Sequence, residues 1–267
     1  FAEQAERLSP AVVNISTTTV VSEGPSSEMP QFPPGSPFEE FFKNFGDNDR
    51  KRRASSLGSG YIIDKKGIVV TNYHVIENAE EITVVLSDDQ SFKAKVLGQD
   101  QKTDIAVLKI DPEDVELTAV EFGDSDSLRV GDWVLAIGNP FGLGGTVTAG
   151  IVSARGRDIG NGPYDDFIQP DASITRGNSG GPLFNLDGEV IGINTLVRSG
   201  PGAGLGFAIP INRARAIAQQ LVSSGKARHP VIGVRLSPVP RPTPTSPVPQ
   251  GAVVRAVQPG GPADRSG

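Results

Sequence analysis

The chain has 267 residues, with 25 Lys and Arg against 31 Asp and Glu, so at a net charge of −6 it has no general attraction for nucleic-acid phosphates. It contains no cysteine, which excludes disulfides, thiolate zinc sites and a cysteine nucleophile. Glycine (32) and proline (22) fill about a fifth of it, a turn-rich globular composition, and no apolar run reaches the roughly 18–20 residues that a bilayer-spanning helix needs.

The chain begins at Phe1-Ala2-Glu3 with neither an initiator Met nor a signal-peptide pattern, which reads as a processed or trimmed start. Residues 1–10 predict a short amphipathic helix ended before Pro10, and 12–21 a β-branched strand. Periodicity is then lost over 22–56. This stretch holds the turn Pro34-Gly35-Ser36-Pro37, the aromatics Phe38, Phe41, Phe42 and Phe45, and the basic run Arg50-Lys51-Arg52-Arg53. An irregular insert of that length tends to be functional or disordered. Its aromatics either dock on something or pack on their own domain, and the basic run reads as a solvated loop.

From Leu57 onward short strands are predicted at 60–64, 68–72, 82–86, 92–100, 106–110, 133–137, 146–155, 181–185, 190–195 and 206–209. Several alternate apolar and polar residues, as in Phe92-Lys93-Ala94-Lys95-Val96. Lys65-Lys66-Gly67 and Leu186-Asp187-Gly188 fit hairpin turns. Many short strands without βαβ alternation predict an antiparallel sandwich or barrel. A helix is predicted at 212–224, with Asn212 as cap, Ile217, Leu221 and Val222 on one face, and Gly225 as stop. Past Ala227, 231–236 and 252–257 read as strands around a stretch, 238–249, that carries six prolines. Two strands cannot bury a core of their own, so this part is expected to be a fragment of a larger domain.

The segment with most chemical content is Gly177-Asn178-Ser179-Gly180-Gly181-Pro182. Glycines on both sides of a serine let the backbone bend tightly, presenting the hydroxyl while N–H groups converge on one point. Acyl transfer requires that arrangement: an attacking oxygen, and donors (here the N–H groups of Gly177 and Ser179) for the oxyanion that develops. A serine hydroxyl also needs a base. Of the two histidines, His229 precedes Pro230 in a linker, whereas His74 follows the strand 68–72 with apolar residues beside it. The base in turn needs a buried carboxylate to hold its tautomer. Asp104, which opens an apolar strand, is one candidate; Asp64, Asp124 and Asp171 compete with it.

The segments TNYHVI (71–76), TDIAVLKI (103–110), GNPFGL (138–143), TVTAGIVSARGR (146–157) and RGNSGGPLFNLDGEVIGINT (176–195) resemble the HtrA/Deg (DegP/DegQ-like) family of trypsin-like serine proteases. The resemblance covers residues 3–227 in one order. It implies an all-β, chymotrypsin-like double six-stranded β-barrel over 1–227. The family's triad falls on His74, Asp104 and Ser179, and its oxyanion donors on the backbone of Gly177 and Ser179. The substrate-pairing strand falls at 194–198, which includes Asn194, Thr195 and Leu196, and Ile174, Ile193 and Val197 fall at the S1 wall, implying small or medium aliphatic P1 side chains. Regulatory loops fall at 22–56, 156–166, 171–176 and 196–206. Residues 228–267 resemble the N-terminal part of an incomplete PDZ domain, with VIGV (231–234) at the carboxylate-binding loop.

The same resemblance implies an ATP-independent endopeptidase of the periplasm or an equivalent compartment, degrading unfolded or damaged proteins. It further implies assembly as a homo-trimer or a multiple of trimers, with no metal, no organic cofactor, no nucleic acid and no stable membrane insertion. The family combines proteolysis with chaperone activity, so a holdase without turnover is the rival reading. Three weaker patterns carry nothing: the sequon Asn14-Ile15-Ser16, the glycine run at 142–145 without a phosphate-loop lysine, and Asp124-Ser125-Asp126 without a distal calcium-loop glutamate.

Overall fold

The structure, a computed structural model, describes residues 1–21, 52–139, 145–160, 162, 164–198, 204–238 and 252–267. The chain opens with helix α1 (Ala2–Leu8) and a 3₁₀ turn (Ser9–Ala11) that contains Pro10. Six strands then close into an antiparallel barrel in the order β1-β2-β3-β6-β5-β4. These are β1 (Val12–Val21), β2 (Arg52–Asp64), β3 (Ile68–Thr71), β4 (Glu81–Val85), β5 (Ser91–Asp100) and β6 (Ile105–Ile110), with the one-turn helix α2 (Tyr73–Ile76) after β3.

The second barrel is built from β8 (Trp133–Gly138), β9 (Thr146–Arg157), β10 (Phe167–Pro170), β11 (Pro182–Phe184), β12 (Glu189–Arg198) and β13 (Leu205–Pro210). Pairing of β11 with β12 closes it, and the two-residue β7 (Glu121–Phe122) runs parallel to the start of β12. The expected double six-stranded barrel is therefore what the chain forms.

Strands with both faces covered carry unbroken apolar runs. In β6, Ala106, Leu108 and Ile110 fill the first barrel, while Ile105 and Val107 face a separate cluster. In β8, Val134 and Ala136 fill the second barrel, while Leu135 and Ile137 join that same cluster. The cluster lies between the barrels. Tyr61 and Val70 enter it from one side and Phe184, Ile193 and Phe207 from the other, and helix α3 (Ile211–Ser224) adds Ala214, Ile217, Ala218 and Leu221.

Three local expectations need correction. Strand β2 begins at Arg52 instead of within the 57–60 region, because β1 stays extended to Val21 and pairs Val20 with Arg53. Arg52 and Arg53 of the basic run are thus strand residues; the rest of the run and the four insert aromatics lie outside the described residues. Asn212 does not cap α3. Pro210 holds the cap position, and the Asn212 N–H donates to Ser125 Oγ at 3.1 Å while its side chain donates to Asp124 Oδ1 at 2.7 Å. Val222, one position past Leu221, turns to solvent. Gly225 does end the helix, in the left-handed region at φ 70°, with its N–H on Leu221 O.

Contacts divide the chain into 1–227 and 228–267. In the second unit, β14 (Val234–Pro238) pairs antiparallel with β15 (Ala252–Val257), followed by helix α4 (Pro262–Ser266). Val231, Ile232, Leu236, Val254 and Val257 are exposed there.

Candidate active site

Strand β3 ends at Thr71, Asn72 stays extended, and α2 begins at Tyr73. Val75 and Ile76 anchor that single turn in the first barrel, which sets His74 on the rim with its side chain 40% exposed. Asp104 closes the turn between β5 and β6, at a left-handed φ of 56°. Its carboxylate reaches His74 twice: Oδ1 accepts the His74 backbone N–H at 2.9 Å, and the imidazole Nδ1 lies 2.8 Å from Oδ2. The Thr195 hydroxyl donates to Oδ2 at 2.6 Å, and the Asn72 amide donates to the Asp104 carbonyl at 2.8 Å. An ionised carboxylate only accepts, so this arrangement puts the imidazole proton on Nδ1 and leaves Nε2 open as an acceptor.

The competing carboxylates serve their own loops. Asp64 accepts from the Lys66 N–H, Asp124 from Asn212 and the Asp126 N–H, and Asp171 from the Ile151 N–H. Beside the histidine, the Tyr73 phenol is pushed up by partial desolvation and then by its neighbour Glu77.

Ser179 comes from the second barrel. A 3₁₀ turn (Arg176–Asn178) delivers it, and Gly180 at φ 84° reverses the chain. A side chain at Gly180 would put its Cβ 2.2 Å from Ser59 O and 2.4 Å from Thr71 Oγ1, so only glycine lets the loop pass this close to the first barrel. The Gly180 N–H donates to Asn194 O at 2.8 Å and the Asn194 N–H to Gly181 O at 2.9 Å, tying the loop to β12. The Ser179 hydroxyl donates to Thr195 O at 3.3 Å.

Residues expected at the substrate strand distribute in three ways. Thr195 joins Asp104, as above, and the Asn194 amide donates to Pro182 O at 3.0 Å. Ile193 packs between the barrels, whereas Ile174 packs inside the second barrel, against the position of Gly206. Leu196 and Val197 pair in the backbone with Phe207 and Gly206; their side chains lie outside the described residues. Sequence reasoning missed the hydroxyl of Thr195 and the amide of Asn72 as partners of Asp104. Adjacency of Asn72 to His74 was the one available signal. Among the described residues no group of three or more His, Asp or Glu is placed to hold a metal, and no helix is long and apolar enough to cross a membrane.

Two antiparallel barrels, with His and Asp on one and Ser on the other, define a trypsin-like serine peptidase, and the family described as the trypsin-like peptidase domain matches residues 58–193. Relatives narrow this further. The chain is 45% identical to a probable periplasmic serine endoprotease DegP-like of Brucella suis biovar 1 (strain 1330), over all of this chain and 58% of that one. It is 47% identical to the protein of the same description in Pseudomonas fulva (strain 12-X), over all of this chain and 59% of that one. The solved HtrA-type protease AlgW with decapeptide superposes at a TM-score of 0.77 and 41% identity, over 100% of this chain and 82% of that one. The chain belongs to the HtrA/DegP-like family of trypsin-like serine endoproteases. It spans somewhat under 60% of the length of the curated relatives it matches.

Proposed function

We propose that the chain is the catalytic part of an ATP-independent periplasmic endopeptidase that cleaves unfolded proteins through an acyl-enzyme on Ser179. The observation that carries this reading is the convergence of both barrels on one network: Asp104 holds His74 and Thr195, and Ser179 rests on the carbonyl of that same Thr195. For attack, the Ser179 hydroxyl leaves Thr195 O and gives its proton to His74 Nε2 as Oγ bonds to the scissile carbonyl carbon. The resulting oxyanion takes hydrogen bonds from the N–H groups of Gly177 and Ser179. The carbon–nitrogen bond then breaks, and the departing amine takes the proton from His74. Water repeats the sequence on the acyl-enzyme, releasing the acid and restoring Ser179.

Substrate pairs as an added strand along 194–198, which demands an extended segment and so favours unfolded chains. Ile174, Ile193 and Val197 select small or medium aliphatic P1 side chains. The periplasmic assignment follows the names of the relatives. Residues 228–267 are the beginning of a PDZ domain in this reading. Assembly as trimers fits the Phe1 and Trp133 rings, which meet at exposed positions with centroids 5.5 Å apart and planes tilted by 52°.

Casein digestion by the wild type and by Ser179→Ala tests the proposal. Cleavage by the wild type alone is expected. Equal cleavage by both overturns the nucleophile, and aggregation suppressed by both without cleavage supports a holdase instead.

A further inference from the structure

We propose that Ser59 is a positioning residue for peptide hydrolysis, fixing the peptide planes on either side of the one that carries the Ser179 N–H, a donor to the oxyanion. The proposal rests on Ser179 being the nucleophile. Ser59 lies on β2 of the first barrel, is fully buried, and directs both donors at the loop of the second barrel. Its hydroxyl donates to Gly177 O at 2.6 Å, and its N–H donates to Ser179 O at 2.8 Å. The same hydroxyl accepts from the Asn139 N–H at 2.8 Å, and the Ser59 carbonyl accepts from Thr71 Oγ1 at 2.7 Å. Every polar atom of the residue is engaged, so its rotamer is locked.

A peptide unit is a rigid plane, so fixing its carbonyl fixes its N–H as well. The 177–178 plane is held by Ser59 Oγ at its carbonyl and by Thr175 O, 3.0 Å from the Asn178 N–H, at its other end. The 179–180 plane is held by Ser59 N–H and, through the Gly180 N–H, by Asn194 O. Between them lies the 178–179 plane, whose carbonyl accepts from the Gly181 N–H at 2.9 Å. That plane also carries the Ser179 N–H, the group assigned to the oxyanion. Ser59 therefore secures the planes on both sides of it from a different barrel. Without Oγ, the Gly177 carbonyl and the Asn139 N–H would be left unpaired in a buried site, and the 177–178 plane would lose its anchor. Donors that must reorient during reaction stabilise the transition state less than preorganised ones. Strand pairing at 194–198 is untouched, so the loss falls on the chemical step and spares substrate binding.

The test compares Ser59→Ala and Ser59→Cys with the wild type. Cysteine keeps the shape of serine but is a weak donor. Steady-state kinetics on a peptide amide are paired with inhibition by a peptidyl boronic acid, whose tetrahedral adduct places an oxygen where the oxyanion forms. Expected is a fall in kcat of about 10- to 100-fold with KM within about threefold, and an equal loss of boronate affinity. Thermal unfolding shows which variants are folded at the assay temperature, and Ser59→Cys carries the test if the alanine variant is not. A folded variant that retains wild-type kcat, or loses only KM, overturns the positioning role. If the wild type itself shows no hydrolysis that depends on Ser179, the underlying reading fails instead.

Discussion

Replacing Asp104 by asparagine separates the orientation of His74 from the stability of the fold. The carboxylate takes three donors: the His74 backbone N–H at Oδ1, and imidazole Nδ1 and the Thr195 hydroxyl at Oδ2. An asparagine has one acceptor oxygen for them. Setting that oxygen at the Oδ2 position aims the NH₂ at the His74 N–H, donor against donor. The opposite setting keeps the backbone bond and presents NH₂ to Nδ1 and to the Thr195 oxygen, both of which can accept. That arrangement leaves only the Thr195 hydroxyl proton without its acceptor, but it moves the imidazole proton to Nε2, where it can no longer take the proton of Ser179. The wrong tautomer lowers kcat by about 10⁴, equivalent to about 5 kcal/mol in the barrier. Since the side-chain positions and the other contacts persist, stability should change by about 1 kcal/mol, or about 2–4 °C in Tm. Peptide-substrate kinetics and a thermal melt read both quantities. A kcat within about tenfold of wild type would show that Asp104 does not set the tautomer.

Gly180→Ala adds a Cβ 2.2 Å from Ser59 O in a left-handed conformation. It should cost about 2–5 kcal/mol, lowering Tm by about 4–20 °C, and an unchanged melt would contradict the close approach of the barrels. The Asp124 carboxyl is held below its ordinary range, first by the Asn212 amide and then by the Asp126 N–H. A depressed carboxyl stabilises the fold above its unfolded value and loses that contribution as pH falls through its folded value. Asp124→Asn should therefore melt below wild type near neutral pH, and the difference should close in acid; a gap independent of pH would show that charge is not involved.

The sequence carried the fold because alternation in the strands survives wherever one face is wet, and because unbroken runs such as Ile105–Ile110 mark strands covered on both sides. Two strands escaped it: β7 has two residues, and β10 ends in Pro170, too little pattern to stand out. Asn212 looked like a cap because Asn suits that role, yet the capping oxygen comes from Ser125, 87 residues away. In the site, Ser179 and His74 were legible because a glycine-flanked serine demands a base and one histidine is well placed. Asp104 was not separable from its rivals by spacing. Its selection depends on a left-handed turn and on Thr195, 91 residues distant. Ser59 was hidden for the same reason, since a serine between two glycines in a strand does not declare which loop will fold onto it.

Mapping the site of reaction with a fluorophosphonate probe tests the central claim most directly. The account predicts phosphonylation of the Ser179 hydroxyl, found by peptide mass spectrometry, abolished in Ser179→Ala and strongly slowed in His74→Ala. A chain that digests casein while carrying its label on another serine, or that labels equally well without His74, would contradict it.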